Sequence, residues 1–351
     1  MNIKDLVRPE VLNLKPYVPA KKVLDKVRLN ANESPYSVTQ SASESFLNLY
    51  PDARPDQIRS AVSSYLDLPN ENVVITRGST EAIDVAIRTF CIPKKDGILV
   101  FPPTFEMYKF YADVQGIKMH TILLDDQNGY ALDMKAIEMF DPNQSKLTFI
   151  CSPSNPLGHR LSNESIYRVC DHFSKSGLIV LDGAYAEFDD DNIYENILSR
   201  FENVIMLRTL SKAFGLAGVR CGALISSEEI CQYIERVIPP YSFSTPAVNS
   251  VIESLSDDGI KKSQRNIKVI LDDRKWLSQE LESLSDVMEV YPSHTNFILV
   301  RVSDAKEFCQ KAKDSGFLLR DVSYQPLLNN CVRITVGNTD QNQKLINGLR
   351  A

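Results

Sequence analysis

The residues best suited to chemistry lie in LRTLSKAFGLAGVRCG, residues 207–222. Lys212 stands there among small and polar neighbours, and Arg220 follows it eight positions later. The lead-in NVIMLRTL reads as a buried strand running out into a loop, which sets a lysine where it can reach a pocket. A primary amine so placed can form an imine with a carbonyl. Taken alone, a Lys–x7–Arg pair is most often a pair of surface charges, because most lysines are exposed. Other groups must converge on Lys212 to give it a role.

Two further strand ends carry such groups. Asn155 ends one in CSPSNPLG and Asp182 ends another in LDGAY. Asn155 to Asp182 is 27 residues and Asp182 to Lys212 is 30. Each interval suits one strand–helix–strand repeat, so all three residues fall on one sheet edge. Pyridoxal phosphate needs this combination. Its ring acts as an electron sink when the ring nitrogen is protonated, and a carboxylate such as Asp182 stabilises that proton. Its phenolate oxygen needs donors, and Asn155 and Tyr185 supply them. Its phosphate needs backbone N–H groups at a helix start, as in Gly78-Ser79-Thr80, and a cation, Arg220, aided by the Thr209 and Ser211 hydroxyls. Phe105 offers a flat apolar face for the ring. Singly, Asp182 and Asn155 are turn residues, Phe105 is core and Gly78-Ser79-Thr80 is a helix cap. In order, at matching strand ends, they form a site.

The elements that position these groups alternate in type. A helix is expected over 55–67, a strand in NVVIT before Arg77, and a helical pattern in EAIDVAIRTF with Ser79 or Thr80 as its N-cap. Strand 97–101 runs into PPTFEMY and another helix. Strand 118–124, a helix from Asp133, strand 146–151, helix 163–175, strand 178–182, strand 203–208, strand 220–225 and helix 227–237 follow. Short apolar strands alternating with helices imply a mostly parallel sheet covered on both faces, with ligands beyond the carboxyl ends of the strands. After residue 245 the pattern changes. A long helical stretch over 245–284, bent or broken near Gly259, precedes strand 296–302, a helix from Asp304, GFLLRD, strand 331–337 and a helix from Asp340. This α+β tail reads as a second, smaller domain. The expected division is an N-terminal arm over 1–50, proline-punctuated at Pro9, Pro16, Pro19 and Pro35, a large domain over 51–245 and a small domain over 246–351.

Composition bounds the function. The 351 residues carry a net charge of −6, with 43% hydrophobic and 24% charged residues, an ordinary globular balance. The best basic cluster, Lys21-Lys22, is too short for a nucleic-acid stripe. No apolar run approaches the ~20 residues that span a bilayer, and MNIKDLVRPEVLNL lacks the apolar core of a secretion signal. The seven cysteines are scattered without a C-x-x-C pair, and the four histidines form no H-x-x-x-H pair. No metal site is expected, and the cysteines read as buried thiols in a reducing cytoplasm.

SPSNPLG, LDGAY and SKAFGLAGVR resemble the pyridoxal-phosphate-dependent aminotransferases of fold type I. LVRPEVLNLKPY, LNANESPY, LYPDARP, TRGSTEAID, FPPTFEMY, RTLSKAFGLAGVRCG, FLLRD and CVRITVG are similar to segments of the histidinol-phosphate aminotransferases, from residue 6 to 337. The resemblance implies a large domain with a mostly parallel seven-stranded sheet and a smaller α+β domain. It implies the reaction L-histidinol phosphate + 2-oxoglutarate = imidazole-acetol phosphate + L-glutamate, in histidine biosynthesis. It gives Lys212 as the Schiff-base lysine and proton shuttle, Asp182 to the pyridine nitrogen, and Asn155 and Tyr185 to the phenolate oxygen. Arg220, Ser211, Thr209, Ser79 and Thr80 go to the cofactor phosphate, and Phe105 to the ring face. Tyr50 of the partner subunit reaches that phosphate, which implies a homodimer with shared sites. Arg333 and Arg320 hold the substrate's anionic end, with Tyr17 and Asn32 lining the pocket.

Four departures from the family pattern stand out, one of them Phe105 at the ring-stacking position, where tyrosine is frequent. Gly183 follows the pyridine Asp where glutamate is common, Ser154 replaces the first Asn of SPNNPTG, and Leu157 replaces a small hydroxyl residue. None removes a group the chemistry requires. Other readings on this scaffold are an aromatic or broad-range aminotransferase, a phosphothreonine decarboxylase, or a regulatory protein without catalysis.

Overall fold

Strands whose residues are apolar without alternation must be buried on both faces, and this rule organises the larger sheet. The computed structural model describes residues 2–15, 17, 26–38, 47–190 and 193–351; Pro16, Pro19 and the Lys21-Lys22 pair lie outside them. Short 3-10 turns aside, the chain runs α1 (Pro9–Leu12), α2 (Asp56–Leu66), β1 (Val73–Thr76), α3 (Gly78–Phe90), β2 (Gly97–Val100), α4 (Met107–Gln115) and β3 (Lys118–Thr121). Then come α5 (Met134–Met139), β4 (Leu147–Cys151), α6 (Asn163–Phe173), β5 (Leu178–Asp182), α7 (Ile193–Arg200), β6 (Val204–Thr209), β7 (Gly222–Ile225) and α8 (Glu228–Val237). The remainder is α9 (Thr245–Ser254), α10 (Asp257–Glu282), β8 (Val287–Val290), β9 (Phe297–Val302), α11 (Ala305–Asp314), β10 (Arg320–Asp321), β11 (Cys331–Thr335) and α12 (Thr339–Arg350).

The first sheet has seven strands in the order β1-β7-β6-β5-β4-β2-β3. All run parallel except β7, which is antiparallel to both neighbours. Alternate residues of its strands feed two separate cores. Ile179, Leu181, Val204 and Met206 pack on one face with α2 and α6 residues such as Ile58 and Val169. Leu178, Val180, Ile205 and Leu207 pack on the other with α3 and α8 residues such as Ile83 and Ile234. Each such side chain, fully buried, contributes about 1.5–3 kcal/mol. A second, antiparallel sheet in the order β10-β11-β9-β8 carries its own core with α10, α11 and α12.

Several local expectations need correction. Strand 118–124 ends at Thr121, because β2 beside it ends at Val100; Ile122 and Leu124 still donate to the Val100 and Pro102 carbonyls as extended chain. Neither Ser79 nor Thr80 caps α3. The helix starts at Gly78, and Glu81 reaches back to accept from the Arg77 N–H at 2.6 Å. The break in the 245–284 stretch falls at Leu255-Ser256, where Ser256 caps α10 by accepting from the Gly259 N–H. Helix α7 and strand β8 were not foreseen: α7 is one short stretch after an acidic run, and β8 is a half-exposed edge strand without a continuous apolar run.

Candidate active site

Parallel register puts the ends of β4, β5 and β6 side by side. Cys151 pairs with Asp182, and Asp182 with Leu207. The turns leaving these ends therefore share one space. Asp182 forms its floor and is 1% exposed. The Tyr108 hydroxyl donates to its Oδ2 at 2.8 Å and the Ala184 N–H to its Oδ1 at 3.1 Å. Burial pushes the carboxyl up to about 6, opposed by those two donors and by the charge of Lys212. Such a group is ready to pair with a cation, which would offset its desolvation.

Lys212 follows β6 by three residues, and its Nζ lies 5.7 Å from the centroid of the Tyr185 ring. Burial, and then the positive charges of Arg333 and Arg220, lower its pKa from the ordinary lysine value, while Asp182 works the other way. A lysine so placed is more often a free amine, the form that attacks a carbonyl or takes a proton. Asn155 Nδ2 donates to the Tyr185 hydroxyl at 3.4 Å. Arg333 reaches in from β11 and donates to Asn155 Oδ1 at 2.5 Å. Arg320 is the register partner of Arg333 and lines the same cavity nearer the solvent. It lies 3.8 Å from Glu106 and 3.4 Å from the Tyr324 hydroxyl, which itself donates to Glu106 at 2.7 Å.

The other end of the site is the start of α3. Gly78 has φ +75°, which glycine adopts freely. A Cβ there would stand 2.9 Å from Arg220 Nη2, and a Cβ on Gly222 would stand 2.9 Å from the Gly78 Cα. Arg220 is thus packed against the helix N-terminus, where it donates to Thr80 at 3.5 Å and to Ser211 at 3.4 Å. Thr209 donates to Ser211 at 3.1 Å. A guanidinium, three hydroxyls and free helix N–H groups form an anion cradle.

One cavity of about 380 Å³ connects these parts. Ser79, Phe105, Asn155, Asp182, Tyr185, Lys212, Arg320 and Arg333 all line it. Thr80, Thr209, Ser211 and Arg220 adjoin it through their hydrogen bonds around the α3 start. Three expected residues lie elsewhere in their own chain. The Tyr50 and Tyr17 rings stand 5.1 and 6.3 Å from the Tyr241 ring, and Asn32 is exposed in a left-handed turn. Glu106, Tyr324 and Tyr108 were missed in the sequence. Tyr108 had a signal, since it lies one helical turn after Phe105 in FEMY. A buried carboxylate, an amine of lowered pKa and an anion cradle around one cavity fit pyridoxal phosphate. Among the described residues no cluster could hold a metal, and no helix is long and apolar enough to cross a membrane.

Residues 9–349 match the family model Aminotransferase class I and II. A histidinol-phosphate aminotransferase from Buchnera aphidicola subsp. Schlechtendalia chinensis is 36% identical over 353 residues, covering 100% of this chain and 98% of that protein. Among solved structures, the histidinol-phosphate aminotransferase from Clostridium acetobutylicum superposes with a TM-score of 0.78 at 22% identity, over 86% of this chain and 90% of the other. The enzyme from Sinorhizobium meliloti, in complex with pyridoxal-5'-phosphate, gives 0.75 at 22% identity, over 89% and 84%. Sequence similarity along the whole chain and a shared fold agree with the cavity's chemistry: the chain belongs to the pyridoxal-phosphate-dependent class I and II aminotransferases, in the histidinol-phosphate aminotransferase branch.

Proposed function

We propose that the protein transfers the amino group between L-histidinol phosphate and 2-oxoglutarate, giving imidazole-acetol phosphate and L-glutamate. The observation that carries this reading is the convergence of Lys212, Asp182 and the Arg333–Arg320 pair on one cavity. Bound pyridoxal phosphate supplies a carbonyl that accepts the amino group and a ring that draws charge away from the substrate Cα. Lys212 anchors it and moves the proton at the substrate Cα, a task its lowered pKa favours. Asp182 holds the pyridine N–H, while Asn155 and Tyr185 donate to the phenolate oxygen. The α3 start with Ser79 and Thr80, and Thr209, Ser211 and Arg220, bind the phosphate, and Phe105 covers one ring face. Arg333 and Arg320 bind the carboxylate of one substrate and the phosphate of the other, since a guanidinium fits both.

Tyr50 of the partner subunit completes the site in a homodimer, on the cofactor phosphate, and Tyr17 and Asn32 line the substrate pocket. The position of Tyr50 outside its own chain's cavity supports the shared site. The domain division remains 1–50, 51–245 and 246–351, supported by the core that one face of the second sheet forms with α10, α11 and α12, while Leu299 and Cys331 on its other face join the core of the larger sheet; the protein's setting is the cytoplasm. Of the departures, Leu157 is buried in the core and Ser154 is bonded through its backbone to His159; neither lines the cavity.

A half-reaction screen tests the function. The enzyme is first converted by glutamate to the aminated cofactor form, and keto compounds are then offered singly. Imidazole-acetol phosphate should restore the original absorbance fastest. Faster recovery with an aromatic keto acid would overturn the substrate assignment, and product carbon dioxide from phosphothreonine would overturn the reaction class.

A further inference from the structure

The parallel ladder between β4 and β5 stops in an unusual way at the site. It advances two residues at a time: Leu178 N–H donates to the Lys146 carbonyl at its start, and Ser152 N–H donates to the Asp182 carbonyl at 3.2 Å at its end. Its next step would pair the Ala184 N–H with the Ser152 carbonyl. Instead the Ala184 N–H turns to the Asp182 carboxylate, at 3.1 Å. The Ser152 carbonyl does not go unpaired, because the Tyr194 hydroxyl donates to it. Tyr194 comes from α7, is 8% exposed, and has the Arg208 guanidinium 5.4 Å from its ring. That guanidinium is fixed by a buried ion pair with Glu187 at 2.7 Å.

Gly183 is what admits this ring. A Cβ at 183 would lie 2.6 Å from Tyr194 Cε1 and 2.8 Å from its Cζ. Any side chain there would displace Tyr194 from the Ser152 carbonyl. Glycine after the floor carboxylate and tyrosine at 194 are thus one device.

We propose that Tyr194 is a positioning residue: by taking over the Ser152 carbonyl from Ala184, it frees the Ala184 N–H to hold the ionised Asp182 carboxylate against the cofactor's ring nitrogen. The inference rests on the assignment of Asp182 to that nitrogen. Removing the Tyr194 hydroxyl leaves a buried carbonyl without a donor, and the nearest donor is the Ala184 N–H returning to the ladder. Asp182 would then lose one of its two donors and become harder to ionise. The other groups facing Asp182 stay in place: Tyr108 on α4, Cys151 on β4, Tyr185 after β5 and Lys212 after β6.

The experiment measures pyridoxal phosphate dissociation constants across pH for the wild type, Tyr194→Phe, Tyr194→Ala, Gly183→Ala and the double variant Gly183→Ala/Tyr194→Ala, with melting curves to confirm folding. Wild-type binding is the control for the cofactor reading; if the wild type takes up no cofactor, that reading fails independently of Tyr194. In Tyr194→Phe the loss of one bond to a charged group predicts about tenfold weaker binding and an acid midpoint about one pH unit higher. Gly183→Ala should weaken binding at least as much, and adding Tyr194→Ala should cost less than it does in the wild-type background, because the clash is relieved. Unchanged affinity and midpoint in a folded Tyr194→Phe overturn the proposal. Equal affinity losses across pH, or strictly additive effects in the double variant, overturn it too, since packing alone would give them.

Discussion

Arg333 Nη1 donates to Asn155 Oδ1 at 2.5 Å, joining residues 178 positions apart and linking the antiparallel sheet to the turn after β4. Two tasks are tied by this contact. If Arg333 meets the substrate's anion and Asn155 faces the cofactor's phenolate oxygen, as proposed, one guanidinium serves the first and orients the second, and the Asn155 amide in turn donates to the Tyr185 hydroxyl.

Arg333→Lys should therefore damage both halves of the reaction. A lysine keeps the charge but loses the planar fork, so it cannot hold an anion by two bonds while contacting Asn155. The expected loss in kcat/KM is on the order of 100-fold, about 3 kcal/mol, for both glutamate and histidinol phosphate. Steady-state kinetics with each substrate check it. A loss confined to one substrate would show that the anions use different sites.

Asp182 exchanges stability for chemistry. Its carboxyl rises from the ordinary 3.8 to about 6 in the cofactor-free protein, chiefly through burial. Between these values the folded protein holds a proton that the unfolded chain has released. Stability then falls as pH rises through this window, and above it the ionised group costs on the order of 2–3 kcal/mol. Asp182→Asn should raise the melting temperature of the cofactor-free protein at pH 8 by several degrees, with the gain vanishing near pH 4. The same variant should bind cofactor poorly. Melting curves at the two pH values decide; a lower melting temperature at pH 8 would contradict the burial account.

Glu106 sits against Arg320 at the cavity mouth, and both side chains are more than half exposed. Exposed ion pairs are worth about 0–1 kcal/mol, yet a substrate anion must displace this one to use Arg320 fully. Glu106→Gln should lower KM for histidinol phosphate about threefold with kcat unchanged, and the gain should shrink as salt is added. An increased KM would mean that Glu106 itself helps to hold the substrate.

The sequence makes Asn155, Asp182 and Lys212 readable because each closes or follows an apolar strand, and a parallel sheet delivers such ends to one edge. The larger sheet was legible for the same reason, and so were the apolar runs of β9 and β11 in the smaller one. What escapes is long-range pairing between exposed or solitary residues. Nothing local in FEMY joins Glu106 to Tyr324, 218 positions on, and nothing in NIYEN tells that the Tyr194 ring fills the space above Gly183. The cap at Ser79 or Thr80 failed because the helix already begins at Gly78, which puts both residues inside its first turn, while Glu81 accepts from the Arg77 N–H ahead of it. Helix α7 and strand β8 are short and draw their stability from the surfaces they cover rather than from their own pattern.

The cradle at the start of α3 can be tested at a residue with no side chain. Gly78 combines a φ of +75° with a would-be Cβ 2.9 Å from Arg220 Nη2. An alanine there carries a left-handed backbone cost of about 1–2 kcal/mol and pushes the guanidinium away from Thr80 and Ser211. If Arg220 and the α3 start together bind the cofactor phosphate, Gly78→Ala should weaken pyridoxal phosphate binding by about tenfold or more. Binding of pyridoxal, which lacks the phosphate, should change little, because Asp182, Asn155 and Lys212 are untouched. Titrating both compounds into the cofactor-free protein separates the two cases. Equal losses for both would assign the effect to a general distortion of the sheet edge at Gly222 rather than to the phosphate cradle.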